Sequence, residues 1–232
     1  MRFANFDARG YRMVDVRSGY ADWVDSYEDT VADEMDLALL DELTVDWSSA
    51  QRAVDLGCGA GRTGTWLRRK GVSAVDGVDL TPEMLAIARA RGAHDRLIEA
   101  DVGGTGLSSG SYDLAISCLV DEHLDNLRPL YAEARRLVRA PAAFVVVTLH
   151  PHFIMHTGMP THFRAADGEE VAIATTVHLV SDHVAAAHAA GWRLAEMRES
   201  VIDDRWVAVK PQLERYQGHP VSAAYVWRVG QP

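Results

Sequence analysis

Three glycines at alternate positions, Gly57, Gly59 and Gly61, stand directly after the apolar run Ala53-Val54-Asp55-Leu56. Glycine so placed lets a strand turn sharply into a helix and lets free N–H groups at the helix start approach a ligand without Cβ interference. Aspartates stand at or after the ends of three successive apolar runs, at Asp55, Asp79 and Asp101. A carboxylate at Asp55 disfavours a pyrophosphate and suits a cationic ligand. A second frame is open as well. Gly59-Ala60-Gly61-Arg62-Thr63-Gly64 satisfies the dinucleotide pattern G-x-G-x-x-G, and Asp79 stands where a ribose-binding acid belongs. In that frame the first glycine lies late after the strand, because Gly57 already occupies the turn.

Histidine is the other concentrated functionality. Seven of the ten lie between positions 150 and 188: His150, His152, His156, His162, His178, His183 and His188. An imidazole titrates near neutrality and is suited to removing a proton from a reacting group. His150, His152, His178 and His123 are the candidate bases. His150-x-His152-x-x-x-His156 also offers imidazoles to a metal, but no nearby acid or cysteine completes a set, so no metal is expected. Cys58 and Cys118 are too few for a disulfide framework and form no Cys-x-x-Cys pair, so they read as reduced thiols lining a pocket.

These residues need elements to hold them. Residues 20 to 44 read as one long acidic amphipathic helix, with Trp23, Tyr27, Val31, Met35 and Leu39 recurring at helical spacing. From 53 onward, strands alternate with helices. The strands are 53–56, 72–78, 96–100, 112–118 and 142–149, and the helices 62–70, 81–91 and 125–138. Thr81-Pro82-Glu83 has the hydroxyl cap, first-turn proline and acid of a helix start. Such alternation implies right-handed crossovers and a doubly wound, mostly parallel α/β sheet covered on both faces. Residues 193–200 and 221–229 read as an antiparallel pair at the sheet edge, with Val221, Ala223, Tyr225, Trp227 and Val229 on one face. The stretch from His152 to Thr176 has no clear core pattern and reads as an insertion covering a ligand.

Composition narrows the chemistry. With 48% hydrophobic and 24% charged residues, the chain is an ordinary folded globular protein. The net charge is −10, and the densest basic groups, Arg68-Arg69-Lys70 and Arg135-Arg136, sit like polar helix faces. A phosphate backbone usually needs a basic stripe, so nucleic acid is not an expected partner. No apolar run approaches the roughly 20 residues of a bilayer span. The opening Met1-Arg2-Phe3-Ala4-Asn5-Phe6-Asp7 lacks the apolar core of a secretory signal. A cytoplasmic location without membrane partners is the expectation, with the chain a monomer or homodimer.

Val54-Asp55-Leu56-Gly57-Cys58-Gly59-Ala60-Gly61 resembles the first motif of the class I S-adenosylmethionine-dependent methyltransferases. Gly77-Val78-Asp79-Leu80-Thr81-Pro82-Glu83-Met84-Leu85 is similar to the family's second motif, Ala100-Asp101-Val102 to its third, and Tyr112-Asp113-Leu114-Ala115-Ile116-Ser117-Cys118 to its fourth. The resemblance runs in order from about Tyr20 to Trp227. It implies a Rossmann-like, seven-stranded sheet whose last strand is antiparallel. It also implies S-adenosyl-L-methionine as cofactor, with S-adenosyl-L-homocysteine as product. By that resemblance Gly57, Gly59 and Gly61 pass under the methionine part and Asp55 lies near its ammonium group. Asp79 accepts from the ribose hydroxyls. Asp101 receives the adenine amino group, with Val102 and Leu80 or Met84 around the ring. Cys58 belongs to the glycine loop, and Cys118 and Leu119 lie beside the sulfonium. One departure is Ala140-Pro141-Ala142-Ala143, where the family commonly has a Pro-Gly-Gly turn.

The expected organisation is an N-terminal helical cap over 1–50 and a cofactor-binding domain over 51–232, with an insertion at about 151–177 forming a substrate lid. Tyr20, Trp23 and Tyr27 resemble the aromatic helix that many family members fold over the cofactor, and with His156 they are the candidate substrate contacts. Trp206, Tyr216 and His219 fall in the last inter-strand connection, within reach of the same pocket. The expected activity is methylation of a small-molecule acceptor at oxygen, nitrogen or carbon, with a histidine as possible base. Two other classes stay open: a nicotinamide-dependent oxidoreductase, for which no Tyr-x-x-x-Lys pair is present, and a protein of this fold that binds the cofactor without transferring its methyl.

Overall fold

The computed structural model describes residues 1–31 and 35–229; Ala32, Asp33 and Glu34, the Met35 side chain and residues 230–232 lie outside the described residues. The first elements are β1 (Arg12–Val14), α1 (Val16–Thr30) and α2 (Met35–Asp41). Asp15 caps α1 by accepting from the Ser18 N–H. Val31 leaves the helical conformation at φ −100° and ψ 55°. The single helix expected over 20–44 is therefore two helices, because helical spacing of apolar residues persists across a break that only backbone geometry reveals.

The alternating segment follows as β2 (Arg52–Leu56), α3 (Arg62–Arg69), β3 (Ala74–Asp79), α4 (Pro82–Arg91), β4 (Arg96–Glu99), β5 (Tyr112–Cys118), α5 (Arg128–Leu137) and β6 (Val138–Leu149). Next come α6 (Pro151–Thr157), β7 (His162–Arg164), β8 (Glu170–Ile173), α7 (Val180–Ala189), β9 (Trp192–Val201), α8 (Asp204–Val209) and β10 (Pro220–Val229). The main sheet has seven strands in the order β4-β3-β2-β5-β6-β10-β9. Pairings from β4 through β6 are parallel, and β10 runs antiparallel to both β6 and β9. The seven-stranded fold with its antiparallel last strand is the expected one. The last strand inserts between β6 and β9, which leaves β9 at the edge. β6 begins earlier than expected, at Val138, and passes through Ala140-Pro141-Ala142-Ala143 with a register shift against β5.

Strand alternation divides the core. Val54, Leu56, Phe144, Val146, Ala223, Tyr225 and Trp227 face one side with α5 and α7. Ala53, Ile116, Val145, Val147, Ala224 and Val226 face the other with α2 and α3.

The cover differs from a purely helical cap. β1 pairs in parallel with β8, and β8 pairs antiparallel with β7, forming a second sheet in the order β1-β8-β7. The N-terminal segment and the insertion are thus one unit, whose core is Trp23, Phe163, Val171 and Ile173. A Cβ on Gly19 would lie 2.8 Å from Ile173 Cγ1, so only glycine lets α1 sit this close to the small sheet. Among the described residues, no helix is long and apolar enough to cross a membrane.

Candidate functional site

The strand ends and the cover enclose a cavity of about 580 Å³, within the roughly 300–1,000 Å³ typical of small-molecule sites. Its floor is the turn after β2. The N–H groups of Gly57 and Cys58 both donate to Val78 O, at 2.8 and 2.9 Å, which ties the turn to β3. Gly57 has φ +78°, and a Cβ there would lie 2.2 Å from Val120 Cγ2. Gly59 and Gly61, at φ +49° and +86°, also sit in the left-handed region that favours glycine. The turn is a bare-backbone cradle that side chains would fill.

Asp79, at the end of β3, faces this cradle. Its Oδ2 accepts from the Gly59 N–H at 2.8 Å and its Oδ1 from the Thr81 N–H at 2.9 Å. Burial raises its carboxyl above the usual range, against the lowering by these two N–H groups. Each oxygen retains a further lone pair for a ligand hydroxyl. Asp101 stands at the exposed rim, where Oδ1 accepts from the Gly103 N–H at 2.7 Å. Met84 and Val102 are buried apolar walls. Leu119 follows β5 with φ +57°, a conformation uncommon for a bulky residue, while its N–H donates to Val147 O at 2.8 Å. Burial pushes the thiols of Cys58 and Cys118 well up, so both stay protonated at neutral pH; both are free cysteines.

The residues expected at the cofactor divide as follows. Gly57, Cys58, Gly59, Asp79, Leu80, Met84, Asp101, Val102, Cys118 and Leu119 line the cavity, while Asp55 and Gly61 do not. Asp55 alternates to the face opposite Val54 and Leu56, where its Oδ2 lies 3.3 Å from His94 Nε2 and both side chains are buried. The His94 ring fills space left by glycines. A Cβ on Gly64 would lie 2.4 Å from its Cε1 and Nε2, and one on Gly77 2.8 Å from its Cδ2. Gly64, the last glycine of the dinucleotide frame, therefore makes room for His94 beneath the turn. Sequence reading passed over His94; the small residues at Gly64 and Gly77 were its only trace.

Tyr20, Trp23 and Tyr27 line the other end of the cavity. Trp23 stacks on Phe163 with centroids 5.6 Å apart at 13° and lies 5.8 Å from Tyr20 at 21°. Of the candidate bases only His123 reaches the cavity. Its Nδ1 lies 2.9 Å from Ala174 O and its Nε2 2.9 Å from the Tyr20 hydroxyl. A carbonyl only accepts, so Nδ1 carries the proton and Nε2 accepts from Tyr20.

The other histidines fall elsewhere. His150 caps α6, with Nδ1 accepting from the His152 N–H at 3.1 Å and Nε2 set 2.9 Å from Glu199. His152 and His156, one turn apart on α6, stack with His219, and His152 Nε2 lies 3.0 Å from His219 Nδ1. Among the described residues, no group of three His, Cys, Asp or Glu side chains is arranged to hold a metal ion. The buried His178 donates from Nε2 to Leu124 O at 2.7 Å. Trp206, Tyr216 and His219 do not line the cavity. The histidine concentration after β6 thus joins α6 to the β9–β10 connection, because α6 turns away from the cavity at its cap.

Two further acids were missed. Asp121 and Glu122 are buried in the turn after β5. Asp121 Oδ2 accepts from Thr148 Oγ1 at 2.7 Å and lies 3.4 Å from His183 Nε2. Glu122 lines the cavity, and its Oε1 accepts from Thr161 Oγ1 at 2.8 Å.

Comparison with known proteins agrees with this geometry. Residues 54–146 match the family model described as a methyltransferase domain. A malonyl-[acyl-carrier protein] O-methyltransferase of Enterobacter lignolyticus is 34% identical over 98 residues, covering 42% of this chain and 39% of the relative. An 18S rRNA (guanine(1575)-N(7))-methyltransferase of Saccharomyces cerevisiae is 35% identical over 88 residues, covering 37% of this chain and 32% of the relative. The chain thus spans less than half the length of either. An S-adenosylmethionine-dependent methyltransferase from Mesorhizobium loti shares the fold, with a TM-score of 0.64 and 24% identity over 83% of this chain and 96% of that one. The matched residues begin at the strand that carries the glycine turn and run through β5 into β6, and the seven-stranded sheet around them has the fold of S-adenosylmethionine-dependent methyltransferases: residues 54–146 form a methyltransferase domain set in that fold.

Proposed function

We propose that the chain transfers a methyl group from S-adenosylmethionine to a small-molecule acceptor held between the glycine turn and the aromatic cover. The observation that carries this reading is the glycine turn at Gly57 and Gly59, hydrogen-bonded to Asp79, on the wall of one cavity. The cofactor would contribute a methyl carbon already activated by its bond to a cationic sulfur. The protein's own work is then to bind, orient and keep water out.

Asp79 would accept from the ribose hydroxyls, with Leu80, Met84 and Val102 around the adenine and Asp101 at its edge. The glycine turn and Leu119 would flank the methionine end. Tyr20, Trp23, Tyr27 and Phe163 supply a flat apolar wall suited to a small acceptor, aromatic ones included. A net charge of −10 and cavity arginines already paired with acids, Arg62 with Asp36 and Arg164 with Glu170, disfavour a nucleic-acid acceptor. The small sheet β1-β8-β7 acts as the lid.

The test is calorimetric titration with S-adenosylhomocysteine, with NAD and NADP as controls, repeated on Asp79→Ala. Micromolar binding of S-adenosylhomocysteine alone, weakened at least about tenfold in Asp79→Ala through loss of charge-assisted hydrogen bonds, is expected. Nicotinamide binding without S-adenosylhomocysteine binding would overturn the reading.

A further inference from the structure

Among the described residues, several buried side-chain polar atoms have no hydrogen-bond partner, and of these only Glu122 Oε2 belongs to a residue lining the cavity. Buried carboxylate oxygens are ordinarily hydrogen-bonded, and an exception at a cavity wall points to a partner that arrives with the ligand. We propose that Glu122 takes the proton of the methyl acceptor, which is accordingly a hydroxyl or N–H compound rather than a carboxylate. This rests on the methyl-transfer reading above.

Glu122 is held at its carboxyl and at its backbone. Oε1 accepts from Thr161 Oγ1 at 2.8 Å, and the Glu122 backbone carbonyl accepts from the Thr176 N–H at 2.6 Å. This fixes Oε1 and leaves Oε2 for the acceptor. The neighbouring imidazole is already committed: His123 donates to Ala174 O and accepts from Tyr20, whose phenol burial pushes well above its usual range. Burial also raises the Glu122 carboxyl, opposed by His123 at 3.7 Å and the Thr161 bond and aided by the charge of Asp121. A carboxylate so raised is a better base than a solvated one.

The charges around the cavity exclude the other acceptor class. Of the Lys and Arg residues lining it, Arg62 is paired with Asp36, Arg164 with Glu170, and Lys210 is likewise engaged. A carboxylate acceptor would meet Glu122 with no uncommitted cation to offset it. In the step, a lone pair on the acceptor oxygen or nitrogen forms the bond to the methyl carbon. The carbon–sulfur bond breaks with its electron pair staying on sulfur. The acceptor's proton passes to Glu122 Oε2 and leaves to solvent afterwards.

The experiment compares wild type with Glu122→Gln, each loaded with S-adenosylhomocysteine, using phenol, aniline and benzoate as calorimetric probes. The same three compounds are then tested as acceptors of tritiated methyl from S-adenosylmethionine. Wild type should bind phenol or aniline at least about tenfold more tightly than benzoate, and Glu122→Gln should lose that preference. Turnover of the preferred probe should fall by about 10²–10⁴ in Glu122→Gln, the usual contribution of general-base catalysis. The low-pH limb of kcat/KM should disappear in the same variant. His123, Asp121 and Tyr20 face Glu122 and also titrate, so loss of the limb on substitution is what assigns it to Glu122.

Equal S-adenosylhomocysteine affinity in both proteins reports an intact site. If the variant fails to bind it, the wild-type preference between phenol and benzoate decides alone. A preference for benzoate, no preference, or undiminished turnover in Glu122→Gln overturns the role of Glu122. Failure of wild type to bind S-adenosylhomocysteine fails the methyl-transfer reading instead.

Discussion

Gly64→Ala separates the packing role of this glycine from the ligand role that the G-x-G-x-x-G frame would give it. In an exposed helix the change stabilises by about 1 kcal/mol. Here the new Cβ would lie 2.4 Å from Cε1 and Nε2 of His94, and 3.1 Å from Cδ2. Carbon contacts are optimal at roughly 3.5–4.0 Å, so the ring would have to retreat by about 1 Å. Room for that retreat is short, because a Cβ built on Gly77 would itself lie 2.8 Å from Cδ2 of the same ring. Overpacking with the ring in place costs about 1–3 kcal/mol. If the ring instead leaves Asp55, 3.3 Å away and equally buried, breaking the pair costs about 3–5 kcal/mol. Subtracting the helical gain leaves a net loss of up to about 2 kcal/mol if the ring stays and about 2–4 kcal/mol if it leaves, which for a chain of this size lowers Tm by up to roughly 8 °C or by roughly 4–16 °C. Urea unfolding and thermal melts measure it. Calorimetry well below the melt should find S-adenosylhomocysteine affinity nearly unchanged. A variant stabilised by about 1 kcal/mol, as in an exposed helix, or one that keeps its stability and loses cofactor affinity, would refute the packing argument.

Two further substitutions probe other links. Gly57→Ala places a Cβ 2.2 Å from Val120 Cγ2 at φ +78°, so S-adenosylhomocysteine affinity should fall at least about tenfold; Gly57→Ala/Val120→Ala removes the clash but not the backbone strain, and calorimetry should show only partial recovery. Glu133 is held down to about 2 by Arg136, against burial and with help from Thr105, so its folded value lies below its unfolded one. The stability it contributes is present above the ordinary carboxylate value of 4.5 and is lost as pH falls through about 2. Glu133→Gln should therefore cost about 1–2 kcal/mol in urea unfolding at pH 7, since Arg136 is partly exposed, and the difference should shrink as pH falls below 4.5; a pH-independent difference would refute the assignment.

What the residues determined by themselves was the local grammar of the sheet. Apolar runs ending in Asp55, Asp79 and Cys118, with glycine at alternate positions after the first, dictate strand, turn and helix through short-range sterics and burial. Asp79, Leu80, Met84, Asp101 and Val102, which the family resemblance assigned to one ligand, line one cavity. Alternation along 221–229 likewise marked the face that Ala223, Tyr225 and Trp227 bury. Period two also decides the fate of Asp55: a residue between Val54 and Leu56 points away from their face, so the motif acid supports the turn from below through His94.

Tertiary structure decided whatever depends on contacts distant in sequence. β1 is three residues long and carries no alternation, and it exists as a strand only because β8, whose paired residues lie 159 positions further on, pairs with it. The histidines after β6 share the composition of an active site, yet the cap at His150 turns α6 so that His152 and His156 meet His219 instead of the cavity. Glu122 shows the reverse. Its sequence neighbourhood is an ordinary polar turn, and only the fold, by bringing Thr161 and Thr176 against it from the insertion, buries the carboxyl and leaves one oxygen unmatched beside the ligand cavity. Burial and desolvation are properties of the assembled surroundings, and they turn a common acid into a site.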